Sequence, residues 1–394
     1  MKRFGAISGL RARLLPMNKP PRRTGSPSPT CMGTIVSSLV LLLIMGTPAC
    51  SATRGSKGHK QGAPAAQPSA GGYPGFGFRT TGGAGRPVIT VTTLADSGPG
   101  SLRAALSRAD HTGGTIRFTV GGDIALLSGL DVPNRTTIDG SSAPAPGITL
   151  LGESAGAGGT GVLNLYQSNV IVRGLRIRNG MNDGIHVVPR RGETVENIVI
   201  DHCSITGSHD GGIDITGRSG FKVTDVTIIS NYLAGNGGPC AKGMCGGGGL
   251  ANSGVNRLSY YYNFWDKNLR RTPSLSGDDL AADVCYNVVR APVQGGIQIR
   301  DGARANLIGN VLLGPKATVA AKLWGGHAYV RDTRSDLGDG GDLGRPMEIP
   351  HPPAPKTAEA VMSNAGAMPR DRLDAYFVDV AATLDQVRAK RPAR

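Results

Sequence analysis

Three aspartates, Asp183, Asp210 and Asp214, sit at the ends of short apolar stretches, and two of them run directly into glycine (Asp183-Gly184 and Asp210-Gly211-Gly212). Residues of this kind do one of two things. Asp-Gly pairs make tight turns, or grouped carboxylate oxygens ligate a hard divalent cation. The spacing restricts the second option. Fully extended, Asp210 and Asp214 would be about 13 Å apart. They can share an ion only if Gly211-Gly212 bends the chain; otherwise they serve different ions. Two cysteines close together in a Gly-rich stretch, Cys240 and Cys245 (CAKGMC), have no second Cys or His pair nearby. In an exported chain that favours a local disulfide over a metal site.

The elements that must carry these residues recur. NVIVRGLRIRNGMNDGIHV (169–187) and NIVIDHCSITGSHDGGIDI (197–215) share one plan, echoed by DVTIISNYL, NRLSYYYNFW, DVCYNVV and NLIGNVLL. Leu175, Cys203, Asn231, Asn263, Asn287 and Asn310 then fall at equivalent positions, at intervals of 28, 28, 32, 24 and 23 residues. Each unit is a short alternating strand, a turn and a variable connection. One unit cannot bury its own apolar face, so units must stack into a solenoid. Stacking places Asp183 one rung, about 4.8 Å, from the Asp210 turn. Cys203 and Cys285 lie three rungs apart, about 14 Å, too far for a disulfide, and are expected to be buried core residues. Ser97–Ala109 reads as a turn and a short helix with Leu102, Ala105, Leu106 and Ala109 on one stripe, suited to capping the open end. A second helix is expected within Pro369–Ala389.

Composition agrees with a β-solenoid. The chain of 394 residues has 60 glycines and only 5% aromatic residues, more glycine than a helical bundle tolerates. The net charge is +15, and removing the seven basic residues of positions 1–50 leaves +8. That surplus suits a polyanion. With no basic run interleaved with aromatics, an acidic polysaccharide is favoured over nucleic acid. Basic residues, an apolar core at Ile35–Met45 and small residues at 47–52 follow a signal-peptide plan, too short for a transmembrane anchor. Cys50 after Ala49 also fits a lipid-attachment site. The expected organisation is a leader at 1–52, a linker at 53–75, a β-helix domain at 76–330, and an irregular segment at 331–394 that ends in a helix. The protein is expected to be an exported monomer, secreted or at the cell surface or in the periplasm.

VTTLADSGPGSLRAAL, TIDGSSAPAPGITL, NVIVRGLRIRNG, IDHCSI and GAMPRDRLDA, in that order, resemble the pectate lyases of polysaccharide lyase family 1. The resemblance implies an all-β fold, a right-handed parallel β-helix, and cleavage of polygalacturonate by β-elimination with Ca²⁺. It matches Asp183, Asp210 and Asp214 to calcium ligands and Arg271, in Arg271-Thr-Pro273, to the residue that removes the C5 proton. It matches Lys242 to a substrate-binding lysine and Arg300 to a further family position, read here as structural or substrate-contacting. The chain departs from the family twice. Met181 stands where an acid is often found, and Ser274 and Ser276 stand where a second arginine is usual, leaving Arg270 as a substitute. Some of Arg173, Arg176 and Arg178 are expected to line the outer face near the cleft, and Asp201-His202 to be structural. Two other functions are compatible with the residues: a β-helical glycoside hydrolase, and a non-catalytic solenoid that binds acidic glycan.

Overall fold

The computed structural model describes residues 72–154, 160–190, 193–217, 220–240, 243–252, 254–320, 325–335, 352–355 and 358–377. All lie in the compact unit Gln61–Arg394. The leader, Cys31, Cys50, most of the linker, Lys242 and the distal half of the expected C-terminal helix fall outside the described residues.

The chain coils. Val170–Arg173, Leu175–Arg178 and Asp183–Val187 form one turn, and Thr194–Asp201, Ser204–Thr206 and Gly211–Ile215 form the next. Each strand pairs in parallel with its counterpart one turn on, as in Ile198↔Val170, Ser204↔Arg176 and Ile213↔Ile185. Among the described residues the strands make three parallel sheets of ten, eight and nine strands, plus one two-stranded antiparallel hairpin, Gly238–Cys240 with Gly243–Cys245. This is a right-handed parallel β-helix. Inward side chains of all three sheets merge into one apolar cluster that runs the length of the coil from Ile89 to Val330.

The corner between the first two strands of each turn is nearly invariant. Gly174, His202, Ser230, Tyr262, Tyr286 and Gly309 all hold a left-handed backbone there. The next residues are Leu175, Cys203, Asn231, Asn263, Asn287 and Asn310, the positions that the repeat aligned. The four asparagines are buried and form a ladder. The backbone N–H of Cys203 donates to Asn231 Oδ1 (2.8 Å), that of Asn231 to Asn263 (2.9 Å), and so on through Asn287 to Asn310. Each corner is thereby tied to the next, because a buried backbone N–H needs a partner. Cys203 and Cys285 are buried free thiols.

Helix α1 (Leu102–Thr112) buries Leu102, Ala105, Leu106 and Ala109 against the coil, and Ser101 caps it. At the other end of the chain, α2 (Ala358–Asn364) and α3 (Arg372–Phe377) follow the last described strand. α3 opens inside the helix expected from the sequence, whereas α2 lies in a stretch expected to be irregular.

Two of the three strand arginines, Arg176 and Arg178, do not lie on an open outer face, and none of the three is on the sheet that carries the acids. Arg173 pairs with Asp139 at 2.8 Å. Arg176 and Arg178 are buried under the C-terminal segment, with Arg178 Nη2 at 2.9 Å from Asp371 and 2.8 Å from Asp374. Their strand, Leu175–Arg178, belongs to the nine-stranded sheet, whereas Asp183 and Asp214 are on the eight-stranded one.

Candidate active site

The eight-stranded sheet runs, in part, Asp183–Val187, Gly211–Ile215, Gly247–Ala251, Ser274–Ser276, Ile297–Arg300. Its entry side collects the chemistry. Asp183 opens the first of these strands, Asp210 immediately precedes the second, Asp214 lies within it, and Arg271 precedes the fourth. One oxygen from each of Asp183, Asp210 and Asp214 lies within 4.8 Å of the others.

Asp210 and Asp214 converge without a break in the strand Gly211–Ile215. The Asp214 carboxylate folds back over Gly211, where a Cβ would sit 2.0 Å from Oδ1. Glycine is therefore needed at 211 as space for a carboxylate, rather than as a bend. Two backbone amides hold the acids: Gly211 N–H donates to Asp183 Oδ1 (2.7 Å) and Leu250 N–H to Asp214 Oδ1 (3.0 Å). Asn182 Nδ2 donates to Asp183 Oδ2 at 3.0 Å, and His186 Nδ1 lies 3.5 Å from the same oxygen.

Burial drives the Asp183 carboxyl well above the usual carboxylate range, and the nearby Asp214 charge adds to the rise. Burial, with Asp210 beside it, likewise pushes Asp214 up to about 7, against the opposing pull of Arg271. Clustered buried carboxylates raise one another's pKa unless a cation relieves them. Hard oxygen donors at this separation, two of them buried, fit a divalent ion such as Ca²⁺, with the rest of its six to eight ligands coming from elsewhere.

Arg271 Nη1 lies 3.3 Å from Asp210 Oδ1 and 3.6 Å from Asp214 Oδ2. Arg270 points its Nε–H to the Gly246 carbonyl at 3.2 Å. Its guanidinium pKa is depressed by burial and by the neighbouring positive charges of Arg271 and Arg300. Arg300 ends the last of these strands, 44% exposed, with Nε 3.6 Å from Asp301. The sheet therefore brings together the three acids, Arg270 and Arg271, with Arg300 within electrostatic reach. Ser274 is fully buried, and Ser276 Oγ donates to Asp301. Met181 is exposed. Cys245 is disulfide-bonded, and the hairpin brings the Cys240 backbone into register with Gly243.

The repeat alignment missed a second ladder beside the site. Ser208 N–H donates to Asn236 Oδ1 (3.1 Å) and Asn236 N–H to Asn268 Oδ1 (3.1 Å). These residues stand five positions after Cys203, Asn231 and Asn263, so the same intervals could have revealed them. They fix the turns that lead to Asp210 and to Arg270-Arg271.

Fold and site together define a right-handed β-helix protein with an acidic cluster on one sheet. A family model, right handed beta helix region, matches residues 160–334. In sequence the chain is related to pectate lyases. It is 32% identical over 282 residues to the probable pectate lyase C of Emericella nidulans, covering 69% of this chain and 60% of that protein. It is 32% identical over 285 residues to the protein of the same name from Aspergillus terreus, covering 69% and 61%. The chain thus spans about three fifths of the length of these curated relatives. Its fold is that of the major cedar pollen allergen jun a 1 (TM-score 0.54, 20% identity, 76% of this chain and 94% of that one). It is also that of a Bacillus sp. N165 pectate lyase solved with trigalacturonate (TM-score 0.52, 14% identity, 75% and 99%).

Proposed function

We propose that the protein is an exported pectate lyase that cleaves polygalacturonate by calcium-assisted β-elimination. The observation that carries this reading is the convergence of Asp183, Asp210 and Asp214 beside Arg271, in a chain whose sequence relatives are named pectate lyases. When bound, Ca²⁺ neutralises the uronate carboxylate and stabilises the enolate-like charge that builds as the C5 proton leaves. Asp183, Asp210 and Asp214 hold the ion.

Arg271 accepts the C5 proton. The C5–H electron pair becomes the C4–C5 double bond, the C4–O bond breaks, and the departing oxygen takes up a proton. Guanidinium is a poor base at neutral pH, so turnover rises toward alkaline pH. Arg270 and Arg300 present cations to neighbouring uronate carboxylates, with Lys242 as a third. A Cys240–Cys245 disulfide would tie together the two strands of the hairpin, Gly238–Cys240 and Gly243–Cys245. One oxygen from each carboxylate lies within 4.8 Å of the others, closer than the roughly 6.5–9.5 Å of inverting glycoside hydrolysis and nearer the roughly 5–5.5 Å of retaining enzymes, so the spacing argues against an inverting hydrolase alone.

Polygalacturonate incubated with the protein and Ca²⁺ is expected to yield unsaturated products absorbing in the ultraviolet. A chelator should abolish them, and so should Arg271→Ala, without loss of folding. Absence of such products from every polyuronate and its methyl ester would sink the lyase reading. Saturated products would point to a hydrolase, and retained glycan binding without turnover to a non-catalytic solenoid.

A further inference from the structure

We propose that Arg271 is an internal counter-cation that competes with a divalent ion for the Asp210 and Asp214 carboxylates, so that metal affinity is set by this arginine as well as by the acids. The inference rests on the reading that these acids hold Ca²⁺, and goes beyond it by giving Arg271 a second role.

The geometry makes the contact an unexpected one. Gly211–Ile215 and Ser274–Ser276 are not neighbours, because Gly247–Ala251 lies between them. Two strand spacings put the Asp210 and Arg271 rungs about 10 Å apart, yet Arg271 Nη1 comes within 3.3 Å of Asp210 Oδ1 and 3.6 Å of Asp214 Oδ2. The intervening rung makes this possible because residues 246–249 are all glycine. A Cβ on Gly246 would lie 2.2 Å from the Asp210 carbonyl oxygen, and one on Gly247 would lie 1.9 Å from that of Arg270. The backbones on either side close onto this bare strand. Gly247 N–H donates to Asp210 O (3.0 Å), Gly248 N–H to Arg270 O (2.9 Å) and Gly249 N–H to Arg271 O (2.8 Å). The glycine rung thus anchors both partners and puts no side chain between them.

The oxygens involved are the ones a metal would need. Asp214 Oδ1 is engaged by the Leu250 amide, and Oδ2 faces Arg271. Asp183, the third acid, has Gly211, Asn182 and His186 as its near neighbours. A divalent ion seated on Asp210 Oδ1 and Asp214 Oδ2 would meet a guanidinium a few ångströms away. In a half-buried site that repulsion is several times thermal energy. Ion and guanidinium therefore exclude each other on these oxygens. By linkage, whatever draws Arg271 away tightens the metal, and the metal in turn frees Arg271.

The test is isothermal titration calorimetry of Ca²⁺ into the full chain, with Arg271→Gln and Arg271→Lys beside it, and melting followed in chelator. Arg271→Gln removes the competing charge and is expected to bind Ca²⁺ roughly tenfold more tightly. In chelator it should melt lower, and Ca²⁺ should raise its melting point by more than that of the parent chain. Arg271→Lys keeps a charge without the planar fork and is expected to tighten binding about two- to threefold. It is the deciding variant if Arg271→Gln does not fold without calcium. Introducing Asp210→Asn should shrink the gain in affinity that Arg271→Gln confers. Equal or weaker binding by the Arg271 variants, with the parent chain binding Ca²⁺ normally, would overturn this inference and leave the cation reading standing. Absence of Ca²⁺ binding by any folded form would overturn both.

Discussion

Met181, where the resemblance places a further acid, is open to change. It is 44% exposed and stands two residues before Asp183, so replacing it removes no core packing. Met181→Asp offers a further carboxylate two residues before Asp183. It is expected to tighten Ca²⁺ binding by roughly tenfold, since ligand charge count tunes calcium affinity, at almost unchanged stability. Calorimetry measures the first and denaturant unfolding the second. The other acids, Asp183, Asp210 and Asp214, were recognisable in the sequence by type and rung. Their convergence was not, because it depends on Asp214 folding back over Gly211, where a Cβ would be 2.0 Å from Oδ1. Strand spacing counts only Cα positions and cannot show that. Arg176 and Arg178 were misplaced for a related reason. Alternation says that a side chain leaves the core, but not that a later segment will cover it, as Asp371 and Asp374 cover Arg178.

Among the strands and corners, the repeat was legible because burial leaves a record in sequence: Asn231, Asn263, Asn287 and Asn310 must recur if each corner is to satisfy the next. The second ladder was just as periodic, five residues after the first at the same intervals, but it is shorter, Ser208, Asn236 and Asn268, and only two of its members are asparagine. Its role is more local. Asn268 Oδ1 accepts from both the backbone N–H and Nδ2 of Asn236 (3.1 and 3.0 Å), and its own Nδ2 donates to the Leu233 carbonyl (2.8 Å). All three residues are fully buried. Asn268→Ala strands these groups away from water, and each unmet buried group costs about 1–3 kcal/mol. The expected loss is about 3 kcal/mol of unfolding free energy, read by urea denaturation. Because Asn268 stands just before Arg270 and Arg271, Ca²⁺ affinity should shift as well. The equivalent change at Asn287, in the first ladder, should cost similar stability and leave the proposed calcium site untouched.

Across the whole molecule, the β-helix is closed along its nine-stranded sheet by the C-terminal segment. Arg178 pairs with Asp371 and Asp374 at 2.9 and 2.8 Å, Ala367 N–H donates to Ser204 Oγ at 2.9 Å, and α2 packs Val361 and Met362 against Tyr232, Phe264 and Val288. One joint in this clasp carries a titratable imidazole, that of His202. His202 Nδ1 meets the Asp201 carboxylate, and Nε2 lies 3.1 Å from the Asn364 side-chain amide at the end of α2. Burial alone would depress the imidazole, but the Asp201 carboxylate outweighs it and the His202 pKa is raised above 6.5. A raised histidine contributes stability that is fully present below the unfolded-state value and is lost as pH climbs through the folded-state value. The side chain is 37% exposed, so solvent screening keeps the effect below about 1 kcal/mol. His202→Asn is a suitable probe, because its backbone φ of 47° is one that asparagine adopts readily. The parent chain should melt above the variant at about pH 6, and the gap should narrow as pH rises past the unfolded-state value and through the raised folded-state one. A gap that stays constant or widens with pH would show that imidazolium does not hold the tail. The measurement bears on function: a lyase that works best in alkali, as proposed, would do so with the His202 imidazole already neutral, leaving Arg178, Ser204 and α2 to hold the segment in place.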